Sequence, residues 1–231
     1  MAVPFFIFKN IDSRRMGCVI ESELKDVRAE KREEIVKFTG RSGSFRKSYG
    51  DYDSILYPVE MSLLDFDNRE DIKRWLSGSG TFILHHDVDK FREARVVGES
   101  LDFDNEWNIM STFTITFELQ PFRYKVRESP IDLTKGDNLF VNLGTEASFP
   151  LFIFKTSGGN MTITIENKTF TLVNTVANTS ITLDCENGLC YRDGSLVITK
   201  GDFPRLPIGD VKVTIAGNFT SGTMKGRWIW T

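Results

Sequence analysis

Apolar and polar residues alternate with a period of two along much of the second half of the chain, the pattern of a half-buried β-strand. Residues 161–166 and 169–173 alternate in this way on either side of a short polar turn, and they predict a hairpin. Further short strands, separated by Gly or Asn turns, are predicted at residues 180–185, 195–198, 210–216 and 227–230. Many short antiparallel strands with frequent turns are typical of a β-sandwich or jelly roll.

The first half of the chain has a mixed pattern. A short helix is predicted after Asn68 or Asp67 as the N-cap, with Ile72 and Trp75 on one face and Gly78 as the C-cap. Strands are predicted at residues 1–8, 55–63, 81–85 and 109–119. This half is therefore expected to be α+β, with strands in the majority.

Two segments of the first half are harder to assign. Residues 21–38 are compatible with a charged amphipathic helix, but their apolar positions are sparse, and extended structure is the alternative. Residues 40–52 predict a glycine-punctuated loop that exposes several aromatic side chains. Long loops in compact domains are usually functional. An interface arm is the favoured interpretation, and a plain connection and a ligand-binding loop are the alternatives.

Composition divides the chain near residue 125. Residues 1–125 carry 19 Lys or Arg and 22 Asp or Glu, whereas residues 126–231 carry 10 of each and 15 of the 20 Thr. The segment between them is polar and contains Pro130 and Gly136, as linkers do. We therefore expect two domains, at residues 1–126 and 139–231, joined by a linker at 127–138.

The charge balance and the absence of long apolar runs exclude several classes of protein. The formal net charge is only −3, which argues against a general nucleic-acid binder or a polybasic membrane binder. No apolar run is long enough to span a membrane, and residues 1–8 lack the basic region and cleavage site of a signal peptide. Nineteen Phe residues, in contrast, indicate cores rich in aromatic side chains.

Candidate chemistry is sparse. His85 and His86 are the only histidines, and neighbouring strand residues point to opposite faces, so a polar strand end is favoured over a metal site. No nucleophile elbow, P-loop or Rossmann fingerprint occurs, so we expect neither an enzyme nor a cofactor. Cys185 and Cys190 flank a tight turn, where reduced thiols are favoured over a disulfide. Trp228 and Trp230 fit a sandwich core better than a sugar-binding platform.

Several segments, taken in order, resemble the distal tail protein (Dit) family of siphophages that infect Gram-positive bacteria. The first-domain matches are an opening strand and turn, a G-R-x-G segment, a short helix running into a strand, a D-D-P-D-K-like pattern and a P-F-[RK]-Y signature, at residues 8–19, 40–45, 72–84, 85–96 and 121–124. The second-domain matches are at residues 162–172, 201–213 and 225–230. The chain departs from the family pattern at two places. His85-His86-Asp87-Val88 lacks the expected D-D-P, and Ile208 and Asp210 alter a P-G-x-N pattern.

The resemblance implies a mainly β fold: a barrel-like first domain with a short helix, and then a galectin-like antiparallel β-sandwich. It also implies a structural protein of the tail tip or baseplate, assembled in the host cytoplasm as a hexameric ring, alone or stacked on a second ring. Such a ring joins the tail tube protein to the tail-associated lysin or hub protein and leaves a central channel for DNA. A receptor-binding or fibre protein is a further candidate partner, although the second domain lacks the long insertion that holds such proteins in other members.

The candidate site is the contact between neighbouring subunits of such a ring. Arg and Tyr are favoured interface anchors, and the aromatic segment of the first domain offers both. The predicted contact residues are Arg41, Phe45, Tyr49 and Tyr52. The alternative function is that of a carbohydrate-binding module that contacts cell-wall glycans through the β-sandwich.

Overall fold

A computed structural model describes residues 3–40, 42–98, 101, 103–106 and 110–231, with the side chains of 105 and 106 excepted. The chain divides into two compact units, Met1–Val126 with Thr231, and Arg127–Trp230. The structure is mostly β, and the first unit contains a short helix and a curled half-barrel sheet. The predicted fold class is therefore confirmed.

The first unit consists mainly of antiparallel strands. Its strands are β1 (Phe6–Phe8), β2 (Ile11–Asp12), β3 (Cys18–Ile20), β4 (Lys31–Val36), β5 (Phe45–Tyr52), β6 (Ile55–Leu63), β7 (Ser79–Leu84), β8 (Lys90–Val97), β9 (Asp104–Glu106) and β10 (Met110–Lys125), and its helix is α1 (Arg69–Trp75). The main sheet has the strand order β2-β1-β7-β8-β10-β6-β3, with β9 paired to β10. Strands β4 and β5 pair only with each other among the described residues.

The core of the first unit is a cluster of aromatic rings. The Phe82 and Phe117 rings lie 4.7 Å apart, and Phe6 stacks on Trp75 at 5.6 Å. Trp75, on α1, donates an indole hydrogen bond to the Phe8 carbonyl oxygen at 2.9 Å. The helix therefore closes the core of this unit with its one strongly apolar face.

The termini of α1 differ in detail from the prediction. Asn68 is the N-cap residue, but its side chain makes no capping hydrogen bond. The Asp65 carboxylate instead accepts from the Asp67 amide and caps the 3-10 turn that leads into the helix. At the other end the C-cap is Leu76, and Gly78 follows two residues later with a positive φ.

The second unit consists of antiparallel strands. They are β11 (Ile131–Leu133), β12 (Gly136–Asn142), β13 (Leu151–Ile165), β14 (Lys168–Thr175), β15 (Ser180–Asp184), β16 (Leu189–Arg192), β17 (Ser195–Leu196), β18 (Thr199–Lys200), β19 (Gly209–Lys225) and β20 (Ile229–Trp230). The predicted hairpin is present as β13 and β14, with Ile163 opposite Phe170. Residues 131–133 and 136–138 of the expected linker are paired strands of this unit.

Two long strands give this unit its two layers. All of β12 pairs with the first half of β19, whereas the first half of β13 pairs with the second half of β19. The β13–β19 register shifts between Thr156 and Met161. Phe152, before the shift, and Ile163, after it, belong to the same buried cluster. The two halves of each long strand therefore face each other across one core, as in a sandwich.

Candidate functional site: the exposed hairpin

The segment that contains the predicted contact residues is a β-hairpin formed by β4 and β5. Val36 lies opposite Phe45, and Glu34 lies opposite Lys47. The loop predicted for residues 40–52 is therefore wrong for residues 45–52, and the helix allowed for residues 21–38 is not formed. Pattern analysis missed these strands because both of their faces are exposed, so polar and apolar positions do not alternate.

Glycine explains the break in the pattern of β5. Lys31 pairs with Tyr52, whereas Glu33 pairs with Ser48, so β5 contains extra residues in a bulge. Gly50 lies in this bulge with φ of 79°, a conformation that favours glycine.

One face of the hairpin carries Phe45 and Tyr49, which are 56% and 54% exposed. Lys47 lies between them in sequence, and its Nζ is 4.7 Å from the centre of the Tyr49 ring, within the range of a cation–π contact. The Tyr49 hydroxyl donates a 2.5 Å hydrogen bond to the Glu34 carboxylate. This hydrogen bond raises the pKa of Tyr49 above its ordinary value. The Tyr49 ring is thus held in place on an otherwise uncovered surface.

Ion pairs cross the hairpin along its length. Arg46 contacts Glu33 at 3.3 Å, and Arg32 contacts both Asp53 at 2.9 Å and Asp51 at 3.0 Å. Exposed pairs of this kind contribute only about 0–1 kcal/mol each. They join the two strands, but they do not provide a core.

The structure separates Tyr52 from the other predicted contact residues. Tyr52 lies at the base of the hairpin, where its ring packs edge-on against Phe122 at 5.5 Å and Lys31 lies 5.7 Å above it. Phe45 and Tyr49 lie on the same strand, β5, further from the base of the hairpin. Arg41 lies outside the described residues.

Two exposed apolar residues, on and next to the facing strand, were not among the predicted contact residues. Ile35 and Phe38 are 55% and 53% exposed. Together with Phe45 and Tyr49 they place four large side chains on a short exposed hairpin. The sequence signal for them was present in residues 35–38, but it was lost among the charged residues that surround them.

The two histidines were the other candidates for a chemical site in the first unit. The rings of His85 and His86 lie 5.1 Å apart at the end of β7. Within the described part of the chain, no three His, Cys, Asp or Glu side chains are grouped so that they could hold a metal ion. The described helices include none that is long and apolar enough to cross a membrane.

The cysteines of the second unit are free and buried. Cys190 lies directly opposite Leu183, so Cys185 is its diagonal neighbour. Diagonal residues of an antiparallel pair are about 7–8 Å apart, beyond the usual Cα separation of a disulfide. Burial raises the pKa of Cys190 to about 11, which also disfavours the reactive thiolate. Trp228, in the same unit, is buried in the core.

The second unit also contains a cleft of about 450 Å³. Its floor includes the core residues Ile163, Ile165 and Phe170, and Glu166 and Asp202 lie at its mouth. Basic side chains also line the cleft, which therefore combines apolar core residues with charged groups of both signs.

No protein-family model matches the chain, and no curated protein is similar to it in sequence. Among solved structures, it is similar to the Dit protein (gp 19.1) of phage SPP1, described as a paradigm of the hub adsorption apparatus in phages that infect Gram-positive bacteria. The TM-score is 0.77 at 13% identity, over 97% of this chain and 99% of that one. Two structures of the phage P2 baseplate in its activated conformation, with Ca and with Sr, give TM-scores of 0.49 and 0.50 at 9% and 8% identity, over 97% of each chain.

The comparison with SPP1 Dit extends over both units of the chain, because the similarity covers nearly all of both proteins. The resemblance found in the sequence is thereby confirmed in three dimensions. The chain has the fold of a phage distal tail protein.

Proposed function

We propose that this protein is a structural component of a phage tail tip or baseplate, where six copies form a ring. The ring joins the tail tube protein to the tail-associated lysin or hub protein, and DNA passes through its central channel. Assembly takes place in the host cytoplasm, and the mature location is the tail tip of the virion. The likeness to the Dit protein of SPP1, a hub protein, supports this role.

The exposed hairpin is the observation that carries the proposal. A two-stranded hairpin without a further layer is marginally stable in water. The β4–β5 hairpin nevertheless exposes nearly every residue, including Phe45 and Tyr49. A neighbouring subunit that packs on these side chains supplies the missing layer. In a cyclic ring the contact is head-to-tail, so one such hairpin per subunit serves every interface.

The proposed contact residues take different roles in such a ring. Phe45 and Tyr49 are the anchors, because they are exposed on one face and Tyr49 is held by Glu34. Tyr52 orients the hairpin through its contact with Phe122. Arg41 is included in the contact on sequence grounds alone.

The charge of the chain suits the wall of a channel. The formal net charge of −3 is small for 231 residues. Strong affinity for DNA requires many cationic contacts with phosphates. A ring of nearly neutral subunits lets DNA pass without holding it, which is consistent with a structural role without catalysis.

The ring is tested by measuring particle mass and shape. We expect mass photometry at high protein concentration to show six times the subunit mass of 26.4 kDa, and negative-stain electron microscopy to show rings. The double substitution Phe45→Asp and Tyr49→Asp should abolish the rings, because it places two charges in the interface.

The control for this experiment is the double substitution Leu196→Asp and Ile198→Asp, which adds the same two charges to residues of the second unit that are 76% and 67% exposed. Rings of this control should remain intact. Rings that survive the hairpin substitutions would exclude the hairpin as the contact. A strictly monomeric parent protein at every concentration would exclude the ring itself.

A further inference from the structure

Strand β12 presents an uncovered apolar edge in the second unit. It pairs with β19 and with no other strand in the described parts of the chain. Its outward side chains Leu139 and Val141 are 77% and 49% exposed, and Leu143, which follows in the same alternation, is 60% exposed. Three large apolar side chains therefore form a stripe beside a row of backbone groups that pair with no other strand.

Soluble proteins usually protect such an edge. Protection takes the form of Lys or Pro on the strand, a bulge, or a covering segment, because an open edge can pair with any other strand. Residues 136–143 contain neither Lys nor Pro, and Asp137 is their only charged residue. Asp137 is already bonded across the ladder, to Lys212 at 2.7 Å and to Thr214 at 2.7 Å. The outer edge of β12 therefore lacks Lys and Pro and can pair with another strand.

The end of the stripe is rigid. The Asn142 side chain donates to the carbonyl oxygens of Glu146 and Pro207 at 3.2 and 3.0 Å, and it accepts from the Gly144 amide at 2.8 Å. These bonds fix the chain on both sides of Leu143. A partner strand therefore meets a preformed surface, which lowers the entropic cost of binding.

We propose that β12 pairs antiparallel with β12 of a second copy of this chain about a two-fold axis. The strand is complementary to itself in one register, in which Val141 faces Val141 and Leu139 faces Leu143 of the partner copy. This register brings apolar side chains together in three pairs on one face, a stabilising arrangement in sheets. It leaves Asp137 outside the paired apolar stripe, so no like charges meet. An isologous contact of this kind requires only one surface.

This contact is distinct from the ring contact of the proposed function. It lies in the second unit and uses none of the hairpin residues. A single strand pair buries less than a standard interface, so it is expected to be weak between isolated subunits. Copies already joined in larger assemblies would form several such contacts together, and avidity would strengthen them.

Disulfide trapping tests the register. The variant Val141→Cys places two thiols opposite each other across the two-fold axis, at a separation a disulfide can span. On mild oxidation with diamide, we expect a covalent dimer of twice 26.4 kDa on non-reducing gels. It should form at least about tenfold faster than for Leu196→Cys, because the pairing raises the effective thiol concentration. The native Cys18, Cys185 and Cys190 are buried and should not contribute.

The proposed register also predicts which other positions can be cross-linked. Leu139→Cys alone should cross-link slowly, whereas an equal mixture of Leu139→Cys and Leu143→Cys should cross-link about half as fast as Val141→Cys, because about half of its pairs combine the two variants. Equal rates for Val141→Cys and Leu196→Cys would overturn the proposal, as would a mixture no faster than its parts. A different partner on this edge would give that same negative result.

Lysine on the edge provides an independent measurement. In the Phe45→Asp/Tyr49→Asp background, where the hairpin contact is removed, Leu139→Lys with Leu143→Lys should slow the disulfide cross-linking of Val141→Cys to the rate of Leu196→Cys, because lysines then face each other on both sides of the thiols. An unchanged cross-linking rate would contradict the proposal. Because this background isolates the second unit's contact, loss of rings and loss of β12 pairing are scored separately. Either proposal can thus fail while the other holds.

Discussion

At the scale of single residues, the hydrogen bonds that charged side chains make inside each unit were the hardest feature to predict from the sequence. Arg92 is 4% exposed, and it donates to the carbonyl oxygens of Val27, Gln120 and Pro121 at 2.7, 3.1 and 2.8 Å. Burial lowers its pKa to about 10. Arginine is usually exposed, so a sequence pattern assigns it to the surface. Its acceptors lie 28, 29 and 65 positions away from it in sequence and come near it only in the fold.

Asp184 and Arg227 form a half-buried ion pair in the second unit. Arg227 donates to both carboxylate oxygens of Asp184, at 2.7 and 3.2 Å, and its backbone amide bonds to Glu128 at 3.0 Å. Its φ of 49° lies in the left-handed region. The hydrogen bonds from Arg227 lower the pKa of Asp184 to about 2. The pair therefore connects the β15–β16 turn to the segment before β20.

This pKa shift predicts a dependence of stability on pH. The carboxyl of Asp184 has a lower pKa when folded than the ordinary 3.8, so its contribution is complete well above pH 4 and is lost as the pH falls towards 2. Asp184→Asn should lower the free energy of unfolding by about 2 kcal/mol at pH 7, and the difference from the parent should shrink towards zero near pH 2. Urea unfolding at pH 7, 4 and 2.5 measures it.

The matched control is Asp132→Asn, an exposed carboxylate on β11 with no ion pair among the described residues. It should change stability little at any of the three pH values. A pH-independent deficit in Asp184→Asn would mean that shape, rather than charge, explains the contribution of this residue.

At the scale of elements, prediction succeeded where one side of a strand is buried and the other exposed. Strand β6 has the predicted bounds, and the β13–β14 hairpin has the predicted partners, because both alternate strongly. The exposed hairpin was missed because it has no buried side. Strand β19 was predicted at residues 210–216 but continues to Lys225, since its turn-like residues lie at a bend within one strand.

Gly217 makes that bend possible. Its φ is 84°, and a Cβ atom there would lie 2.5 Å from the carbonyl oxygen of Asn160 and 3.1 Å from the Cα of Met161. Both atoms belong to the backbone of β13, so they cannot move aside independently of the strand. The two layers of the sandwich therefore require glycine at this point.

Substitution by alanine separates this close approach from conformational strain. Gly217→Ala should destabilise the second unit by about 1–3 kcal/mol more than Gly209→Ala, because overpacking adds to the strain. Gly209 has nearly the same φ, 83°, but no atom lies within 4 Å of its Cβ position. Chemical denaturation followed by far-UV circular dichroism gives both values. Equal losses would show that backbone strain alone matters at Gly217.

At the scale of the whole molecule, the Phe residues reflect two separate cores. Phe6, Phe82 and Phe117 belong to the buried cluster of the first unit, and Phe152 and Phe154 belong to that of the second. The break in charge and Thr content near residue 125 lies next to the boundary between the units at Val126. Composition located this boundary because Thr-rich strands follow it. It could not assign residues 131–133 and 136–138 to strands, because they pair with residues of β19 that are 75 or more positions away.

Two cores predict two unfolding transitions. Phe117 and Phe152 are both fully buried, one in each cluster, and truncation of such a side chain to alanine costs about 3–5 kcal/mol. Phe117→Ala should therefore lower the transition temperature of one calorimetric peak and leave the other in place, and Phe152→Ala should do the reverse. The Trp75 and Trp228 fluorescence signals, one from each cluster, assign the peaks when each Trp is replaced by Phe in turn. If either alanine variant shifts both transitions equally, the units unfold as one cooperative body, and the two-domain division of the chain describes its architecture but not its stability.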